Sequence, residues 1–143
     1  MTKKKKTVIP FELKYFKGGG YHLFIKMKVD NHVVRFLIDT GASKTVLDKS
    51  FVKENLPHII RSNNASSTGL GSRAIKSEAI VAQNILIGER MIKNLLCAVV
   101  DLRHVNAAYE TINAKPIHGV LGSDVLKKYS AVLDYGTKRL TLF

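Results

Sequence analysis

The sequence predicts an all-β protein whose short strands close into a barrel-like fold, with one or two short helices. Three observations predict it. Runs rich in aromatic and β-branched residues recur along the chain, beginning with YHLFIKMKV (21–29) and VVRFLI (33–38). Turns bearing glycine, aspartate or asparagine separate them, with no long stretch of helical period between. The chain closes on an alternating pair, AVLDY (131–135) and RLTLF (139–143), around Gly136, Thr137 and Lys138.

Taken in order, residues 1–20 are expected to form a basic N-terminal tail and lead-in, and residues 21–143 one domain. Asp30, Asn31 and His32 supply the turn between the first two strands. The second strand runs into Asp39-Thr40-Gly41-Ala42-Ser43; Thr45, Val46 and Leu47 then resume an extended pattern, and Asp48 is placed to cap a short helix reaching about Asn55. Pro57 stops that helix. Residues 61–73 (RSNNASSTGLGSR) are polar and glycine-bearing, a loop or a hairpin with a flexible tip. Two longer strands are expected over 74–87 and 91–100, joined by a tight turn at Gly88, Glu89 and Arg90. Residues 101–116 are less regular, 117–121 form a short apolar strand, and Ser123 can cap a helical turn over 125–129. No internal repeat and no linker divides the chain.

Composition sets bounds on function. At 143 residues with 45% apolar content the chain suits one core. No run approaches the roughly 18 apolar residues of a membrane span. The lysine-rich start is followed by too short an apolar stretch for a signal peptide, so a cytoplasmic protein is expected. Cys97 cannot form an internal disulfide and lies in the apolar run 95–100, where it reads as core. The net charge of +12 includes four consecutive lysines at 3–6, and the other basic residues are scattered without aromatic partners. That pattern fits a solvated basic surface, and nucleic acid is not the expected partner.

Several motif matches fail on context. Gly69, Gly71 and Ala74 have dinucleotide-fingerprint spacing but follow a polar loop and precede a strand. Ser43-Lys44-Thr45 matches the end of a phosphate-binding loop, yet Ser43 and Ile38 stand where its glycines belong. His22, His32, His58, His104 and His118 lack metal-ligand spacing, and no nucleophile elbow accompanies Ser43. No cofactor or metal is expected. His118, beside Gly119, could neighbour the loop after Asp39, or be an ordinary satisfied histidine.

The chemistry-bearing segment is Phe36-Leu37-Ile38-Asp39-Thr40-Gly41-Ala42-Ser43, a lone carboxylate that ends an apolar strand and is followed by small residues. Apolar neighbours would strip water from Asp39 and raise its pKa, while hydroxyls of Thr40 and Ser43 and backbone N–H groups could orient it. Gly41 permits close backbone approach. An Asp-Thr-Gly triplet alone is also a commonplace turn.

Together with the downstream Gly119-Val120-Leu121-Gly122, this segment resembles the clan of aspartic proteases that includes retroviral proteases and pepsin. Its nearest form is the single-domain, bacterial retropepsin-like type, which often ends in a strand like Val132-Leu133-Asp134-Tyr135. The resemblance spans roughly residues 21–143. It implies the acid-protease barrel, with Asp39 catalytic, Thr40, Gly41, Ala42 and Ser43 forming the active-site loop, and Val120, Leu121 and Gly122 supporting it from behind. It also implies a glycine-rich flap, for which Thr68, Gly69, Leu70 and Gly71 are the best candidates, and a polypeptide substrate bound extended beneath it.

Such chemistry needs two carboxylates sharing one proton. No second Asp-Thr/Ser-Gly triplet exists; Asp134-Tyr135-Gly136 carries a bulky ring in place of the small hydroxyl residue. A two-fold homodimer would supply the missing Asp39, with Thr40 bonding across the interface. Residues 139–143 suit either a sheet shared between subunits or a hairpin within one. Lys44 would lower the pair's pKa values if it pointed inward. A second reading stays open, a non-catalytic module of this fold that holds a peptide, an acidic protein or nucleic acid.

Overall fold

Alternation of buried and exposed side chains already begins at Thr7. The computed structural model describes residues 5–56, 61–62 and 78–143. In it, β1 (Thr7–Pro10) pairs with the chain's last strand and β2 (Glu12–Phe16) with the strand that follows it. Residues 7–16, expected as a lead-in, thus lie within the sheets. Thr7 and Ile9 point inward and are buried.

The expected hairpin forms from β3 (Gly20–Val29) and β4 (His32–Ile38), paired antiparallel from Leu23 opposite Ile38 to Val29 opposite His32. Its turn is two residues long. Asp30 and Asn31 take φ of 44° and 70°, the positive values whose twist matches the flanking strands. His32 therefore opens the strand and does not belong to the turn.

Next come β5 (Val46–Asp48), α1 (Lys49–Asn55), the short β6 (Arg61–Ser62), and the long pair β7 (Glu78–Ile87) and β8 (Arg90–Val100). Gly88, at φ 60°, makes the turn between the long strands. A Cβ there would lie 2.6 Å from Thr7 Oγ1 and 2.8 Å from Ile9 Cγ1, so glycine lets β1 pass close beneath. Asp48 occupies the cap position of α1 but its side chain does not cap. Its Oδ1 instead accepts the Leu102 N–H at 3.0 Å.

The chain ends with α2 (Arg103–Glu110), β9 (Gly119–Leu121), α3 (Ser123–Lys128), β10 (Val132–Asp134) and β11 (Arg139–Leu142). The helix α2 corrects the expectation of irregular chain over 101–116. Asp101 Oδ1 accepts the Arg103 N–H at 3.0 Å, and buried Tyr109 anchors the helix on Phe24, Leu102, Ala114 and Ile117. Ser123 is the first residue of α3 and not its cap; Gly122 holds that position.

Strand pairing closes β3-β4-β9-β5-β8-β7 into a six-stranded barrel through the contact of β3 with β7, with β2 and β6 appended. A separate sheet runs β1-β11-β10. Its central strand β11 is flanked on both edges by strands of its own chain. The main core fills the barrel, with Phe36, Leu47, Ile80, Ile85, Cys97, Leu121 and Leu140 among its buried side chains. Burial pushes the Cys97 thiol up to about 12, as expected of a core cysteine. Among the described residues no helix is long and apolar enough to cross a membrane.

Candidate active site

Asp39 stands where β4 leaves the barrel. β4 and β9 run parallel, with Ile38 beside Leu121, and the Asp39 N–H donates to the Leu121 carbonyl at 3.0 Å. The Asp39 carbonyl accepts the Ala42 N–H at 3.2 Å, closing the turn. Asp39 Oδ1 accepts the Gly41 N–H at 2.9 Å, a charge-assisted bond that sets the carboxylate's direction. Thr40 and Ser43 are exposed, so the orienting donor is the backbone N–H of Gly41.

The support from behind includes direct backbone contacts. Ser123 N–H donates to the Ala42 carbonyl at 2.7 Å, tying the start of α3 to the loop. A Cβ on Gly122 would come within 2.8 Å of the Ala42 oxygen and of the Lys44 carbonyl carbon and oxygen. Only a residue without a side chain lets the two segments touch. Val120 is half-buried, while Leu121 and Gly122 are buried. The residues predicted from the two motifs are therefore neighbours across one parallel strand pair.

A cavity of about 250 Å³ opens beside Asp39 and Thr40, lined also by Tyr21, His22, Leu37, Leu133 and Tyr135. Asp39 is the one acidic residue in that lining. It is exposed, so its own chain does not strip the water from it as the strand's apolar character suggested. In the same lining Tyr21 and Tyr135 are 62% and 55% exposed, two aromatic rings at the mouth of the site.

Sequence reasoning missed His22 and Tyr109. His22 Nδ1 and the Tyr109 hydroxyl are 3.0 Å apart, and the His22 ring stacks on Phe16 with centroids 4.2 Å apart. Burial raises the Tyr109 pKa and the Asp39 charge adds to this, against a lowering by Arg35. A signal existed in the hairpin register: counting one step beyond Leu23 opposite Ile38 sets His22 opposite Asp39.

Other expectations resolve plainly. His118 is structural: its Nδ1 accepts the Arg35 N–H at 3.0 Å and its N–H donates to the Arg35 carbonyl at 2.8 Å. Asp134 accepts the Thr137 N–H at 3.0 Å in the terminal turn, and Lys44 is exposed. Thr68, Gly69, Leu70 and Gly71 lie outside the described residues. Among the described residues no cluster of three or more metal-ligand types forms.

Comparison with known proteins agrees with this geometry. The profile of a family described as aspartyl protease matches residues 25–125, more than half of the chain. The chain belongs to that aspartyl protease family. Its fold is similar to the crystal structure of a retropepsin-like aspartic protease from Rickettsia conorii, at 21% identity and TM-score 0.57, over 96% of this chain and 89% of that one. It is also similar to the retroviral protease-like domain of Ddi1 from Leishmania major, at 14% identity and TM-score 0.57, over 85% of this chain and 87% of that one.

Proposed function

We propose that this protein is an aspartic endopeptidase whose active form is a homodimer, with water activated between the Asp39 carboxylates of two subunits. The observation that carries this reading is the setting of Asp39. Its backbone is tied to Leu121, its carboxylate is oriented by Gly41, and it opens into a cavity holding no other acid. One carboxylate cannot both take a proton from water and give one to the scissile carbonyl. Two, brought together by a two-fold axis, share a proton and divide the roles.

The exposed rings of Tyr21 and Tyr135 beside Asp39 support an isologous contact around the site, because apolar surface beside polar chemistry marks association faces. Closure by a second subunit would also remove water from Asp39 and strengthen the field between the carboxylates. Thr40, Gly41, Ala42 and Ser43 act as the active-site loop and Val120, Leu121 and Gly122 as its support. Residues 68–71 serve as the flap over an extended polypeptide whose side chains enter pockets lined by groups such as Leu37 and Leu133.

The test is cleavage of an unfolded protein mixture across pH by wild type and Asp39→Asn. The reading expects loss on the order of 10²–10⁴-fold in the variant with an unchanged melting temperature. Equal cleavage by both would sink it.

A further inference from the structure

A second concave surface runs along β3 and β4, and its lining shares no residue with the Asp39 cavity. A cavity of about 520 Å³ is bounded by Phe11, Phe24, Arg35 and Lys115, and one of about 280 Å³ by Ile9, Met27, Lys28 and Leu86. Pro10, Lys26 and Val33 line both, so the two form one groove.

Strand pairing explains why it exists. On one edge of β3, β2 extends only to Phe24 and β7 begins only at Lys28. Ile25, Lys26 and Met27 thus have no strand partner on that edge among the described residues. The floor is apolar, with buried Ile9, Phe11 and Met27, and Val33 stands 53% exposed above it.

The rim is cationic. Lys26, Lys28, Arg35 and Lys115 face a single acid in the lining, Glu12. Glu12 takes one bond from Arg35 Nη1 at 3.2 Å, the one side-chain hydrogen bond of that guanidinium among the described residues. A guanidinium with donors in reserve suits a further carboxylate.

We propose that this groove docks an acidic polypeptide segment in extended conformation, separate from the Asp39 site. Successive side chains of an extended strand point to opposite sides. A segment alternating apolar and acidic residues would seat the first on the floor and carry the second to the lysines and Arg35. The chain's own lysines at 3–6 have the wrong sign. A second copy, in a two-fold contact, would set this cationic rim against itself on a chain of net charge +12.

The experiment uses the full chain carrying Asp39→Asn, so that nothing is cut, and a fluorescein-labelled capped peptide alternating glutamate and valine. Polarisation should report binding that the matching lysine–valine peptide lacks. Lys26→Glu, Lys115→Glu and Val33→Asp, all at the groove surface, should each weaken it about tenfold without lowering the melting temperature. Amide shifts on titration should centre on Lys26, Val33, Arg35 and Lys115. Binding indifferent to the three substitutions, or shifts centred on Tyr21, Leu37 and Thr40, would overturn the proposal. So would an oligothymidine probe that binds as tightly and is lost with the same variants, which would make the groove a phosphate-binding surface.

Discussion

Thr45 and Asp124 are joined twice across 79 positions of sequence: the Thr45 N–H donates to Asp124 Oδ2 at 3.0 Å and its hydroxyl to Oδ1 at 2.8 Å. The same hydroxyl oxygen accepts the Gly122 N–H at 3.1 Å. One buried side chain therefore holds the far end of the Asp39 loop to the segment that supports it. Thr45→Val keeps the shape but leaves the Gly122 N–H and an Asp124 oxygen unpaired. Denaturant unfolding should show a loss of about 1–3 kcal/mol, and the Asp39 site should lose activity with it.

Gly122 tests the contact from the other side. In Gly122→Ala the new methyl meets backbone of Ala42 and Lys44 at 2.8 Å, where no flexible side chain can yield. The loop must shift, at a cost of about 1–3 kcal/mol, and proteolysis should fall further than stability alone explains. A variant with full activity and unchanged melting would show that this close approach is dispensable.

His118 makes stability depend on pH. Burial lowers its pKa from the ordinary 6.5, partly countered by the charge of Asp48. The folded chain therefore binds this proton less readily than the unfolded chain. Its contribution is complete above 6.5 and is lost as pH falls through the window below that value, where protonated Nδ1 can no longer accept the Arg35 N–H. His118→Asn retains an acceptor near that position and does not titrate. Thermal melting across the window should fall less steeply in His118→Asn than in wild type, and parallel curves would remove His118 as the cause.

The barrel and the Asp39 loop were legible because period-two runs and two short motifs report local backbone directly. The strands over 21–38 and the terminal hairpin appear almost as read, whereas the parallel meeting of Ile38 and Leu121 emerges only in the fold. Three features were not legible, each for a physical reason. The helix α2 has apolar Leu102 at its cap position, and the contact to its first N–H comes from one residue further back, at Asp101, so a search for a polar cap directly before an apolar period passes over it. Asp48 looks like a cap, but the buried Leu102 N–H competes for its carboxylate. The exposure of Asp39 depends on what covers the strand end, and an apolar run cannot say whether that cover comes from its own chain.

Mixing subunits tests the shared carboxylate pair most directly. Wild type is held constant and folded Asp39→Asn is added in excess, with time for exchange, before peptide cleavage is measured. If each active unit needs two intact Asp39 residues, activity per wild-type chain falls as the variant captures wild-type subunits in inactive pairs. Activity per wild-type chain that stays constant at every ratio, with exchange verified, would contradict the account and leave Asp39 acting within a single chain or not at all.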